Sequence, residues 1–286
     1  MLAFNLLAAL LQPAAAPEAV RLDLPGLSSP LWESHPAVDP LTGDLWFVRS
    51  ARDFSGWRLF VSRCGPGGRS EAVPAPLAAP GLEADPWFSP DGRTLWYISS
   101  RATGAMAAEA LDIWRVRRGR DGRWLAPERL PAPVNSDRVE WFPRPAADGW
   151  LYFGSRREGG LGSDDIWRAR LVRGRWQVEN AGPEINSAGA EYELQPSPDG
   201  RWALLATDGG IFRLERGPRG GWTHKVRVAG VDGIGPMITP DGRAFIFSRR
   251  GGDGRSGEFF AVRLSPGPAW PPPCPATRPG RRPPRR

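Results

Sequence analysis

The stretch EADPWFSPDGRTLWYISSR, residues 83–101, places a turn between two aromatic runs. Ser-Pro-Asp-Gly is typical of a tight reversal, because proline fixes its own φ and glycine accepts a positive φ. The flanking aromatic and β-branched residues are typical of strands. The stretch therefore predicts a β-hairpin, and much of it reappears elsewhere in the 286-residue chain.

The copies can be aligned on this turn. In each copy, the strand before the turn begins at an anchor residue. The repeat lengths between successive anchors are 50, 57, 51 and 42 residues, and the anchors are Glu33, Glu83, Glu140, Glu191 and Gly233. Each unit carries two strand-like runs after its turn, and three units carry a further turn that ends in tryptophan. Four short strands in about 40–50 residues are typical of one β-propeller blade.

The repeat predicts an all-β, five-bladed propeller of four-stranded antiparallel blades over residues 19–264. The fifth unit runs into a proline-rich segment where its fourth strand should be, whereas residues 19–29 resemble the fourth strand and exit loop of unit two at 127–136. We therefore expect the N-terminal strand to complete the last blade, which closes the ring and removes exposed sheet edges. Six blades, the alternative, would require a repeat that is not visible in the sequence.

Residues 135–170, NSDRVEWFPRPAADGWLYFGSRREGGLGSDDIWRAR, resemble the WD-repeat-like propeller repeats of TolB-type proteins. The matching positions in this one unit are Asn135, Ser136, Glu140, Pro143, Asp148, Gly149, Ser155, Arg156, Gly159, Gly160, Asp165 and Ile166. The resemblance implies the propeller fold and the role of a periplasmic interaction module. It supplies no catalytic residue for this chain.

The formal net charge of +7 suggests a nucleic-acid partner at first sight, but its distribution argues against one. Removing the last 22 residues, which hold five arginines and no acid, lowers the charge to +2. The folded part is therefore close to neutral. Residues 265–286, rich in proline and arginine, are expected to be a disordered tail that could touch acidic surfaces peripherally.

The N-terminus predicts export to the periplasm or secretion. Leu2 to Leu11 is apolar and has the length of a signal-peptide core, and Ala14 to Ala16 offers a cleavage site, so residues 1–16 are interpreted as a signal peptide. Cys64 and Cys274 are the only two cysteines. They belong to the first and last blades, which are neighbours in a closed ring, so an exported protein allows them to pair as a disulfide.

The repeat places four carboxylates at one mouth of the tunnel, each at the start of a tunnel-lining strand: Glu33, Glu83, Glu140 and Glu191. One hypothesis is that they bind a ligand, and a ring of carboxylates could weakly bind Ca²⁺. The alternative hypothesis is structural, with each glutamate accepting hydrogen bonds in its own blade. Repetition over four blades favours the structural role, because catalytic roles usually break the symmetry of a repeat.

Two kinds of enzyme are alternatives to simple binding. A glycan-active enzyme needs two nearby carboxyls, and Asp85 and Glu193 supply extra acids at the mouth. Three tryptophans could stack on sugar rings there: Trp32, Trp87 and Trp141. A nucleophilic hydrolase has little support, because His35 and His224 are the only histidines and neither has an evident triad partner.

The sequence thus favours a monomeric, non-enzymatic binding module of the cell envelope that needs no cofactor. The expected partner is an envelope protein or a peptide or glycan ligand, with no nucleic acid. A glycoside hydrolase-like enzyme that uses the carboxylates at the mouth is the alternative.

Overall fold

The computed structural model describes residues 18–250 and 257–274, and these form a five-bladed β-propeller. Each blade is a four-stranded antiparallel sheet whose first strand lies at the tunnel and whose fourth lies outermost. This confirms the fold class, the blade number and the antiparallel order that the repeat predicts. The predicted signal peptide lies outside the described residues.

The blades follow one another along the chain. Blade 1 holds β2 (Trp32–Val38), β3 (Leu45–Ser50), β4 (Arg58–Ser62) and β7 (Val73–Pro74), with a small ribbon of β5 (Cys64–Gly65) and β6 (Gly68–Arg69) beside it. Blade 2 holds β8 (Glu83–Phe88), β9 (Thr94–Ser99), β10 (Asp112–Arg117) and β11 (Glu128–Arg129), with a 3₁₀ turn at Ala108–Ala110. Blade 3 holds β12 (Glu140–Pro145), β13 (Leu151–Ser155), β14 (Asp165–Val172) and β15 (Arg175–Asn180).

Blades 4 and 5 complete the ring. Blade 4 holds β16 (Glu191–Pro196), β17 (Trp202–Thr207), β18 (Gly210–Arg216) and β19 (Trp222–Arg227). Blade 5 holds β20 (Ile234–Ile238), β21 (Ala244–Arg249), β22 (Glu258–Arg263) and, as its outer strand, β1 (Ala19–Arg21). The N-terminal strand therefore closes the ring as predicted, with Val20 opposite Ala261.

The core lies between neighbouring blades. The inner strands are almost wholly buried because both faces of each sheet pack against the next blade, and the buried residues are mostly aliphatic and aromatic. The first strands of successive blades contact one another around the tunnel, including β20 with β2 across the closure. Burial of this apolar surface drives the packing of blade on blade.

The segment after β22 returns to the propeller. Cys274 forms a disulfide with Cys64, the Trp270 ring packs edge-on against Phe259, and Arg69 Nη2 donates to Pro272 O at 3.1 Å. Residues 265–274 are thus held against blades 1 and 5, in contrast to the disorder predicted for them. The reason is that a large aromatic side chain and a covalent link both fix this segment.

The described residues contain no helix that is long and apolar enough to cross a membrane.

Candidate functional site

An irregularity in the first strands directs side chains toward the tunnel axis. The pairing of each first strand with its second strand shifts register just after the anchor residue. Two residues after the anchor, the backbone has positive φ in four blades: 51° at His35, 56° at Asp85, 50° at Phe142 and 62° at Gly235. Residues other than glycine rarely take this conformation, and where they do the site is often functional.

These displaced residues meet at the centre of the ring. His35 Nε2 lies 2.9 Å from Glu193 Oε1 and 3.3 Å from Asp85 Oδ1. Asp85 Oδ2 accepts a hydrogen bond from the Phe142 backbone N–H at 2.8 Å, and Glu193 Oε2 accepts one from the Gly235 N–H at 2.7 Å. All five blades therefore contribute a side chain or a backbone N–H group to one buried hydrogen-bonded network on the axis.

A buried arginine lies against this group. Arg144, only 2% exposed, donates from Nε to Gln195 Oε1 at 2.8 Å and from Nη1 to the carbonyls of Pro143 and Asp85 at 2.9 and 3.3 Å. Burial lowers the pKa of Arg144 to about 10, although Asp85 and Glu193 oppose that shift. We call His35, Asp85, Glu193 and Arg144 the axial cluster.

Contacts within the axial cluster shift the pKa values of His35 and Asp85. Burial alone would lower the pKa of His35, but the attraction of Asp85 and Glu193 outweighs it, and the pKa lies above the ordinary value of 6.5. Burial raises the pKa of Asp85 above its usual range, against the attraction of His35. The pKa of each group depends on the charge of the other, because His35 Nε2 and Asp85 Oδ1 lie 3.3 Å apart.

We expect the imidazole of His35 to titrate above pH 6.5. Because its pKa is higher in the folded than in the unfolded chain, protonation stabilises the fold; that stability is complete below pH 6.5 and is lost as pH rises through the folded pKa. In the His224→Gln variant, His35 is the sole remaining histidine. NMR titration of the imidazole signals of this variant measures the pKa of His35 directly. A midpoint at or below pH 6.5 would contradict the proposed attraction.

A pocket opens above the axial cluster at one tunnel mouth. Its volume is about 350 Å³, and its floor includes His35, Asp85 and Glu193. Aromatic side chains and an arginine form much of the wall: Phe54, Trp57, Trp141, Tyr192 and Arg156. We call this space the mouth pocket. An apolar cavity of this size with a few convergent polar groups is the usual form of a small-molecule site.

Two contacts fix the walls of the mouth pocket. The Phe54 and Trp57 rings lie 5.3 Å apart, so the loop between β3 and β4 presents both of them together. Arg156 donates from Nε to Asp164 at 2.8 Å, and its guanidinium lies 5.2 Å from the Trp141 ring. The walls are therefore partly preorganised before any ligand enters.

The four anchor glutamates are buried and hydrogen-bonded next to the mouth pocket. Glu33 accepts from Arg49 Nε at 2.8 Å, Glu140 from Arg157 Nη2 at 2.8 Å, and Glu191 from Lys225 Nζ at 3.0 Å. Glu83 accepts from Arg101 Nη2 at 2.5 Å. Three of them also accept from a serine of the preceding loop, namely Ser29, Ser136 and Ser187. Burial raises the pKa of Glu33, Glu83 and Glu140, although the arginine partners lower it in part.

The predicted mouth tryptophans occupy three different places. Trp141 lies in the wall of the mouth pocket. Trp87 lies instead in a proline-rich hollow of about 440 Å³ at the other end of the tunnel, because it comes four residues after Glu83 along the strand. Trp32 packs edge-on against Phe54, with their ring centres 5.4 Å apart.

Within the described ranges 18–250 and 257–274, no group of three or more His, Cys, Asp or Glu side chains is arranged to hold a metal ion. The Asp85 and Glu193 carboxylates have His35 and backbone N–H groups as partners. These contacts bring hydrogen bonding and proton exchange among charged groups to the axis.

Sequence reasoning identified Asp85 and Glu193 as extra acids and His35 as a rare residue, but it gave the histidine no partner. The structure supplies two. The alignment of the repeats nevertheless contains a signal that points to these residues. Two residues after the anchors, the chain reads His35, Asp85, Phe142, Glu193 and Gly235, with no residue type repeated. In a repeat protein, functional residues are usually found at positions that differ between the repeats.

The fold defines a class, a five-bladed β-propeller, and this one has a pocket at one tunnel mouth. No protein-family profile and no curated protein sequence matches the chain.

Solved structures do share its architecture. TolB from Acinetobacter baumannii is 18% identical with a TM-score of 0.50, and the match covers 84% of this chain and 58% of that one. A putative TolB from Agrobacterium tumefaciens is 14% identical with a TM-score of 0.51, covering 82% of this chain and 84% of that one. The chain thus has a TolB-like propeller fold, and it spans less than two thirds of the Acinetobacter protein.

Proposed function

We propose that this chain is an exported, non-enzymatic binding module whose ligand occupies the mouth pocket. The observation that carries the proposal is the pocket itself, in which aromatic walls stand over a polar floor built by all five blades. Such a site offers apolar contact area for affinity and a few fixed polar groups for orientation. Ligands of this kind include a small glycan or a peptide end, and an envelope protein could present either.

A binding role fits the way the polar groups are held. Three of the four carboxylate oxygens of Asp85 and Glu193 accept a hydrogen bond, two of them from backbone N–H groups, and the fourth, Asp85 Oδ1, lies 3.3 Å from His35 Nε2. At least one oxygen of each anchor glutamate is likewise held by an arginine, lysine or serine side chain. Groups held in this way form a rigid surface that a ligand can recognise without a change of structure.

Two features support export. Residues 1–16 have the composition of a signal peptide, and Cys64 is joined to Cys274. Disulfides form and persist in oxidising compartments such as the periplasm and the extracellular space. Expression of the full chain in a bacterium, followed by mass spectrometry of the periplasmic fraction, tests this part of the proposal; export predicts a mature N-terminus near Pro17.

The binding role is tested by titrating the purified protein with soluble fragments of cell-wall glycan and with short peptides, followed by calorimetry. We expect saturable binding that Trp57→Ala weakens, and recovery of the ligand unchanged. Trp176→Ala, on the outer strand of blade 3, is the matched control. Binding that is unaffected by Trp57→Ala would place the ligand elsewhere and contradict the proposal.

A glycan-active enzyme is the second candidate, and one observation favours it. Asp85 and Glu193 both contact the same His35 nitrogen, so their carboxyls are close together, and burial raises the pKa of Asp85 so that it could act as a proton donor. Turnover of any envelope glycan, lost in both Asp85→Asn and Glu193→Gln, would establish this alternative over simple binding.

A further inference from the structure

We infer that the ligand of the mouth pocket is a neutral polyhydroxyl compound, a sugar or a sugar residue of a glycan. This inference rests on the proposed function, since it assigns a chemical class to the ligand of the same pocket. It follows from three properties of the described residues: the charge balance of the floor, its spare hydrogen-bonding capacity and the nature of the walls.

The charge balance of the floor disfavours a cationic ligand. A ligand ammonium or guanidinium would be expected to sit between Asp85 and Glu193, but His35 Nε2 already occupies that position at 3.3 and 2.9 Å from the two carboxylates. Arg144 adds a second buried positive charge beside them. Two acids are therefore matched by two basic groups, and the floor has no excess negative charge to attract a cation.

An anionic ligand is disfavoured by the same geometry. The carboxylates of Asp85 and Glu193 both line the pocket, so a ligand carboxylate or phosphate on the floor would face like charges at short range. The cation in the wall, Arg156, is already hydrogen-bonded to Asp164 at 2.8 Å. A neutral polar ligand avoids both penalties.

The floor can still accept hydrogen bonds. An ionised carboxylate offers about four lone-pair sites. The contacts described for Asp85 and Glu193 place one hydrogen-bond donor on each of three oxygens and a charge contact with His35 Nε2 at 3.3 Å on the fourth. Ligand hydroxyl groups can therefore donate to these oxygens without displacing His35 or the backbone N–H groups. Hydrogen bonds from neutral donors to charged acceptors are among the stronger ones in proteins.

The walls of the mouth pocket suit the apolar C–H face of a sugar ring. Trp57, Trp141 and Tyr192 surround the space together with apolar side chains such as Ala84 and Ile234. Aromatic rings have a negative face, against which weakly positive C–H groups pack favourably. A pyranose or furanose ring has such C–H groups on one face and hydroxyls at its edge. The pocket of about 350 Å³ is large enough for a small ligand of this kind.

The test compares probes of one shape and different charge. D-glucose, D-glucosamine and D-glucuronate, together with a panel of other neutral mono- and disaccharides, are titrated into the full chain and followed by saturation-transfer NMR and calorimetry. We expect a neutral sugar to bind more tightly than its amino and acid counterparts. Glu193→Gln and Trp57→Ala should each weaken that binding by about tenfold or more, while Trp176→Ala should not.

Trp57→Ala changes only a wall residue, so the test stands even where Glu193→Gln fails to fold. Tighter binding of glucosamine, or absence of binding for every neutral sugar of the panel, would overturn the inference. In that case, a peptide that binds the wild-type protein and not Trp57→Ala would leave the proposed binding function intact. If neither sugars nor peptides bind, the result would count against both the sugar ligand and the proposed binding function.

Discussion

Replacement of Gly154 by alanine is expected to lower the free energy of unfolding by about 3 kcal/mol or more, or to prevent folding. A Cβ at this position would lie 2.0 Å from Trp141 Nε1 and 2.4 Å from the backbone oxygen of Tyr192. The first contact could be relieved only by moving a packed indole, and the second only by shifting the first strand of blade 4. Urea unfolding, followed by tryptophan fluorescence, measures the loss.

Gly221→Ala is the matched control, because a Cβ there would meet nothing within 4 Å. It should leave stability nearly unchanged. The double variant Trp141→Ala/Gly154→Ala should recover part of the loss, since it removes the indole but leaves the Tyr192 oxygen in place, and the recovered part measures the coupling of the two residues. A Gly154→Ala protein as stable as the wild type would show that blades 3 and 4 are not packed as described.

The same cross-strand position explains why Trp141 can line the mouth pocket. Trp141 is paired with Gly154 across β12 and β13, whereas the equivalent pair in blade 2 is Ala84 with Ile98, and in blade 1 Ser34 with Val48. Each pair thus combines one small and one larger residue. In blade 3 the large member is on the first strand, at the tunnel, and glycine behind it provides the space.

The spacing of the repeats in the sequence was sufficient to predict the fold. Turns and aromatic runs recur every 42 to 57 residues. Each blade forms mainly from residues close together in the chain, so local patterns determine it. The ring closure was also predictable, because residues 19–29 resemble a fourth strand and the fifth unit lacks one. The placement of residues 265–274 was only partly predictable, because the sequence allowed Cys274 to pair with Cys64 but gave no sign that Trp270 packs against Phe259.

The site was only partly predictable, for two physical reasons. His35, Asp85 and Phe142 adopt positive φ without being glycine, and their sequence carries no signal for that conformation. The hydrogen bond between His35 and Glu193 joins residues 158 positions apart on different blades, so it appears only when the ring is closed. The register placed the acids near one mouth but could not say which of them face the axis.

Glu140→Ala is the second large effect that we expect, with a loss of about 3 kcal/mol in the free energy of unfolding. Glu140 is fully buried, and one of its oxygens accepts hydrogen bonds from Ser136, Ser155 Oγ at 3.2 Å and Arg157 Nη2 at 2.8 Å. Alanine would leave the Arg157 charge, itself largely buried, without its counterion. The loss is measured by urea unfolding at neutral pH.

Glu140→Gln should cost less than alanine, because it keeps a hydrogen-bond acceptor in nearly the same place and because burial, which raises the pKa of Glu140, makes its negative charge costly to hold. Glu158→Ala, whose side chain is 93% exposed, should change little and serves as the control. The comparison separates the two roles open to the anchor glutamates. A structural role predicts lower stability with ligand binding retained in whatever protein folds. A Glu140→Gln protein of wild-type stability that no longer binds would instead make this anchor glutamate part of the ligand site, because its hydrogen bonds within the blade would then contribute nothing measurable to stability.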